Sequence, residues 1–160
     1  MTIKTNIDKI DVRLLQAVQS DARLTLAELA ELGNTSTSSA ARRLKRLEEE
    51  RIITGYSANV DPAGLGFVQD IFVEVTLTGQ DEKTMDKFER GLAGIRQVLS
   101  CWLMSGESDY LVRVVAKDAP DYEHIHRTLS KLPGVHRLRS SFALRQVFRR
   151  QMDPQPQGPA

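Results

Sequence analysis

Apolar residues along the first fifty positions recur at helical spacing, and beyond them the repeat shortens to two. Ile10, Leu14, Leu15 and Val18 share one stripe of a helix spanning Asp8 to Ser20, with Asn6 or Asp8 placed to cap its start. Thr25, followed three residues later by Glu28, makes a capping box for a short second helix carrying Leu26, Ala27, Leu29, Ala30 and Leu32. That helix is expected to stop at Gly33 and Asn34, which tolerate the left-handed backbone of a tight interhelical turn. Ser36, Thr37, Ser38 and Ser39 then offer N-caps for a third helix running to about Glu50.

From Tyr56 the pattern changes. Tyr56 to Asp61 reads as extended and residues 62–66 are turn-rich, which divides the chain into a helical domain over 1–55, a linker over 56–66 and a second domain over 67–150. Phe67 to Thr78 alternates as a strand, with Ile71, Val73, Val75 and Leu77 on one face; Asp81 to Ala93 is helical. Two strands follow, Ile95 to Met104 and Tyr110 to Ala116, separated by residues 105–109. Ala119 to Leu132 is a further helix ended by Pro133 and Gly134, and Val135 to Phe148 is the last strand. Strand-helix-strand-strand-helix-strand is the ferredoxin-like order, with both helices on one face of a four-stranded antiparallel sheet and the other face left for a partner to cover. The Pro- and Gln-rich tail over 151–160 is expected to be disordered.

The 160 residues, 41% hydrophobic and 27% charged, match an ordinary folded chain rather than a disordered or membrane one. No apolar run approaches the roughly 20 residues that span a bilayer, and the polar N-terminus has no signal-peptide core, so a cytoplasmic location without membrane contact is expected. A lone cysteine, Cys101, allows no internal disulfide, has no metal-site spacing and reads as a small apolar core residue. No metal or other cofactor is called for.

A net charge of +1 gives no general affinity for nucleic acid. Charge is clustered, however: Arg42, Arg43, Lys45 and Arg46 crowd the third helix, where Ala40, Ala41, Leu44 and Leu47 can turn inward. The short hydroxyls of Ser36, Thr37, Ser38 and Ser39 allow close approach to a groove, and the basic residues behind them suit phosphates or guanine edges of double-stranded DNA. The competing reading is a solvated charged helix, since Glu48, Glu49 and Glu50 follow directly and can pair with Lys45 and Arg46.

Taken together, the chain resembles the Lrp/AsnC, or feast/famine, family of transcriptional regulators. The resemblance is carried by residues 7–15 (IDKIDVRLL), 21–25 (DARLT), 42–48 (RRLKRLE) with 52–56 (IITGY), 104–111 (MSGESDYL) and 132–135 (LPGV). It implies an α+β chain with an N-terminal winged-type helix-turn-helix domain and a C-terminal ferredoxin-like βαββαβ domain for effector binding and oligomerisation. It further implies a homodimer built by back-to-back sheets and assembling to tetramers, octamers or larger, and a small effector, commonly an amino acid, bound between dimers at the loop Gly106, Glu107, Ser108, Asp109 and Tyr110. There Gly106 lets a ligand approach the backbone, and Glu107 or Asp109 could hold an α-ammonium group. The competing reading is that Asp109 caps a turn and Gly106 supplies only a positive φ. Gly33 departs from the family's usual apolar residue, which implies a looser end to the second helix.

Two other functions compete. A tetrapyrrole enzyme of the same architecture would need His124, His126 and His136, but the first two lie two apart on a helix and point in different directions. No nucleophile and base stand together either, so catalysis is not expected. The third reading is an assembly module whose helix-turn-helix makes protein contacts only.

Overall fold

The structure, a computed structural model, describes residues 6–154, and it divides into two compact units. One holds the chain up to Ala58 together with the returning segment from Phe148; the other runs from Asn59 to Val147.

Three helices build the first unit: α1 (Lys9–Ser20), α2 (Leu26–Gly33) and α3 (Thr37–Glu49). Each start is capped by a side chain, which satisfies amides the helix itself leaves without acceptors. Asp8 and Asp11 form a capping box on α1, Thr25 and Glu28 another on α2, and the Ser36 hydroxyl accepts from the Ser39 amide on α3. Asn34 closes α2 in the left-handed region at φ 51°. Leu14, Ala17, Leu29, Ala30, Ala40 and Leu44 pack into one core, with Ile10, Val18, Leu24 and Ile53 against it. Gly33 is buried in this packing rather than loosening the end of α2: a Cβ there would lie 3.0 Å from Leu14 Cδ2, so only glycine lets the two helices come this close. No strand precedes β1 among the described residues, so the helix-turn-helix carries no paired wing there.

The second unit contains β1 (Gln69–Leu77), α4 (Glu82–Ala93), β2 (Val98–Leu103), β3 (Tyr110–Ala116), α5 (Ala119–Ser130) and β4 (Val135–Phe142). Its sheet order is β2-β3-β1-β4, antiparallel throughout, as the ferredoxin-like reading requires. Alternation along β1 sends Ile71, Val73, Val75 and Leu77 to the helix face, where they join Phe88, Val112, Val114, Tyr122, Ile125 and Leu129 in the main core.

Across the opposite face, Trp102, Leu111, Glu74 and Arg139 stand in register, and beside them Phe72 pairs with Arg113 and Ser141. Asp70 grips Arg113 bidentately there, at 2.9 and 2.7 Å. Trp102 keeps 47% of its surface exposed, so this face is open and mixed in polarity.

Strand ends differ from expectation because turns consume them. Phe67 donates its amide to Pro62, Ile95 to Val98 make a turn, and β4 stops at Phe142. The C-terminal segment also departs from the disorder expected of it: Gln16 Nε2 donates to Asp153 Oδ1 at 2.9 Å and Pro154 is buried in the first unit. Residues 155–160, where the rest of that expectation falls, lie outside the described residues.

Gly134, between α5 and β4, sits at φ 81°, and a Cβ would lie 2.6 Å from Thr84 Cγ2. We expect Gly134→Ala to remove about 1–3 kcal/mol by backbone strain and contact. Urea unfolding should show a lower midpoint at unchanged slope; an unshifted midpoint rules the strain out.

Candidate nucleic-acid interface and effector loop

Helix α3 buries Ala40, Leu44 and Leu47 and leaves its polar rows outward. Ser36, Thr37, Ser38, Arg42 and Lys45 are exposed, whereas Ser39 is half-buried. Lys45 lies 3.8 Å from Glu49, a loose surface pair of small energetic weight. No acidic residue occupies the first turn of α3, so the positive end of the helix dipole points outward among hydroxyls. An anion would meet donors there.

Arg43 and Arg46 behave differently, and this corrects their assignment to DNA. Arg43 Nη1 donates to Asp8 Oδ2 at 2.7 Å and to Asp11 Oδ1 at 2.9 Å; Arg46 Nη2 donates to Asp11 Oδ2 at 2.6 Å, and its Nη1 reaches the Asn6 carbonyl at 3.3 Å. Asp11 is 1% exposed. An isolated buried carboxylate is strongly disfavoured, so Asp11 must be neutralised, and α3 supplies both cations. Two of the four basic residues therefore tie α3 to α1. The Asp11 amide, then the Arg43 guanidinium, holds the Asp8 carboxyl below the usual range, and Asp11 and Asp8 push Arg43 further up. Sequence spacing showed the acids and the arginines but not that they meet, since 32 residues separate Asp11 from Arg43.

The second expected site divides in the same way. Gly106 and Glu107 are exposed, Gly106 has open space around it, and Ser108 is half-buried. Asp109, by contrast, is buried, with Oδ2 accepting the Leu77 amide and Oδ1 accepting Gln80 Nε2, both at 2.6 Å. Its main chain is also engaged, the amide donating to the Val75 carbonyl and the carbonyl accepting from the Met104 amide. Asp109 is thus a structural clasp of the β2–β3 loop, and its carboxylate is not available for an α-ammonium group. Tyr110 is buried likewise: its ring stacks tilted on Phe88 at 4.8 Å and its hydroxyl donates to Glu89 Oε1 at 2.7 Å. Neither Gln80 nor Glu89 was singled out by sequence, because hydrogen-bond partners on separate elements leave no local pattern.

Tyr110 and Glu89 also line a cavity of about 380 Å³ between α4 and the edge strand β2, with Leu92, Val98, Cys101 and Leu103. Cys101 is exposed there rather than in the core, because β2 is an edge strand. Apolar surroundings, with the charge of Glu89, push its thiol up to about 11, so it is protonated near neutral pH. His124 is exposed and His126 half-buried at the edge of the Tyr122 ring, as expected for residues on different sides of α5. No cluster of metal-ligating side chains, and no helix long and apolar enough to cross a membrane, occurs among the described residues.

Removing the Asp11 charge should strand two guanidiniums. Asp11→Asn is expected to lower stability by roughly 2–3 kcal/mol, less than for fully buried partners because both arginines keep some solvent. Circular dichroism in urea measures this, and a change within 0.5 kcal/mol or so, as for a surface pair, refutes it.

Comparison with known proteins agrees with this organisation. A model of the AsnC-type helix-turn-helix domain matches residues 7–48, and one of the Lrp/AsnC ligand binding domain matches residues 70–153. The chain is 38% identical over 149 residues to a Bkd operon transcriptional regulator of Pseudomonas aeruginosa, covering 92% of this chain and 97% of that one. It is 36% identical over 142 residues to the DNA-binding transcriptional activator DecR of Escherichia coli, covering 88% and 93%. Among solved structures, a transcriptional regulator from Neisseria meningitidis in complex with L-methionine superposes with a TM-score of 0.84 at 32% identity, covering 89% of this chain and 92% of that one. A feast or famine regulatory protein from M. tuberculosis complexed with L-methionine gives 0.82 at 30%, covering 92% and 99%.

Proposed function

The chain belongs to the Lrp/AsnC family of DNA-binding transcriptional regulators, which are not enzymes, and from that premise we propose how it reads DNA and senses an effector. The N-terminal turn of α3 enters the major groove, with Ser36, Thr37 and Ser38 near base edges and phosphates and with Arg42 and Lys45 on the backbone. The observation that carries this reading is the division of labour on α3: Arg43 and Arg46 are held by Asp8 and Asp11, while Arg42 and Lys45 are exposed beside the hydroxyl turn.

A second copy of the chain covers the open sheet face around Phe72, Leu111 and Trp102, making a dimer that spaces two α3 helices on a pseudo-palindromic site and assembles further. The effector is an amino acid. It binds where dimers meet, at Gly106, Glu107 and Ser108, while Asp109 and Tyr110 hold the loop from behind. Open space at Gly106 and the exposed carboxylate of Glu107 support a ligand with an ammonium group, and the L-methionine complexes of the two similar regulators support its class. By linkage, that ligand must prefer one arrangement of the assembly to alter DNA occupancy.

Fluorescence anisotropy of a labelled duplex from upstream of the protein's own gene tests the DNA face. Wild type should bind with salt-sensitive affinity, and Arg42→Ala with Lys45→Ala should weaken binding and flatten the salt slope by about 2. Equal binding by both proteins would move the interface off α3. For the effector, amino acids are screened by their effect on that affinity; Gly106→Trp should abolish the response and leave basal DNA binding intact, and an unchanged response would exclude this loop.

A further inference from the structure

The two oxygens of Asp8 do different work. Oδ1 accepts the amides of Ile10 and Asp11, both at 2.9 Å, and so caps α1. Oδ2 faces the other way and accepts Arg43 Nη1 at 2.7 Å. Asp8 is half exposed, at 48%, whereas Asp11 is buried and needs Arg43 and Arg46 for its own neutralisation. Arg43 thus carries one carboxylate that the fold requires and a second that it does not.

Three further features surround this second contact. Arg43 Nε is buried and meets no acceptor. Arg42, Arg43 and Arg46 line a cavity of about 250 Å³, roomy enough for a tetrahedral anion beside the guanidiniums. Arg42, on its rim, is exposed. A carboxylate and a phosphate oxygen are the same kind of acceptor to a guanidinium.

We infer that Asp8 is an affinity-determining residue for DNA: its Oδ2 occupies Arg43 in place of a backbone phosphate and so limits how strongly α3 holds DNA of any sequence. This rests on the DNA-binding reading given above. The chain keeps a strongly basic helix while its non-specific affinity is restrained, which favours discrimination by base contacts over attraction to phosphate. The restraint sits on an N-cap, where Asp and Asn serve the helix about equally well. Asp8→Asn therefore keeps the cap through Oδ1 and exchanges the Oδ2 clamp for an amide that cannot accept from Arg43.

The full-length protein is titrated into a labelled duplex of arbitrary sequence between about 50 and 200 mM salt, with helix content followed by circular dichroism. Asp8→Asn should bind about tenfold tighter near 50 mM salt, with a log–log salt slope steeper by about 0.9, the increment for one added phosphate contact. In the Arg43→Gln background the same change should have no effect on affinity or slope. Unchanged or weaker binding by Asp8→Asn, while wild type binds, overturns this inference and leaves the DNA reading standing. A gain that persists without Arg43 also overturns it, because it would report only a lost negative charge. Wild type that binds no duplex at the lowest salt overturns the DNA reading and this inference together.

Discussion

A carboxylate taken out of water must find a cation, and in the helical unit that requirement decides how the helices sit. Asp11 is on the inner side of α1, and the only route to neutrality that the described residues offer is the guanidinium pair on α3, Arg43 and Arg46. Once those bonds form, α3 is held against α1 on its polar flank as Leu44 and Ala40 hold it on the apolar one. The angle at which α3 presents Ser36 to Ser38, Arg42 and Lys45 follows from that double attachment. Recognition surface and structural anchor are thus two rows of the same helix, one turn apart.

The ferredoxin-like unit uses a comparable device with neutral donors. Asp109 closes the loop between β2 and β3 by accepting the Leu77 amide and the Gln80 side-chain amide, so the loop is fastened to the end of β1 and to the turn before α4. Tyr110, next in sequence, is locked on the helix face by Phe88 and Glu89. What remains outward is short: Gly106, Glu107 and part of Ser108. A loop with a rigid base and a small free tip suits a ligand whose binding must be felt by the sheet, since motion at the tip is transmitted to β1 and α4 through the clasp rather than dissipated.

Much of this was legible in the chain. Helical spacing over Ile10 to Val18, the Thr25 and Glu28 box, and alternation from Ile71 to Leu77 are local signals, and each reappears as α1, the cap of α2 and the buried face of β1. Errors cluster at strand ends, where Phe67, Ile95 and Phe142 depend on turn hydrogen bonds that carry no periodicity. The basic run on α3 and the loop after Ser105 were also found from sequence. Which of their members face outward was not, because Arg43, Arg46, Asp109 and Tyr110 are drawn inward by partners 21 to 35 residues away.

The sequence by itself determined the element order, the α+β class, the helix caps, the family resemblance and the two segments that carry chemistry, since these rest on spacing within a few residues. Only the tertiary structure decided which charges are free to meet a partner. Pairing of a charge is a matter of distance in space, and burial of one carboxylate, Asp11, removes two arginines from the surface that composition alone would have assigned to DNA. The same holds for Cys101, whose exposure follows from β2 lying at the edge of the sheet.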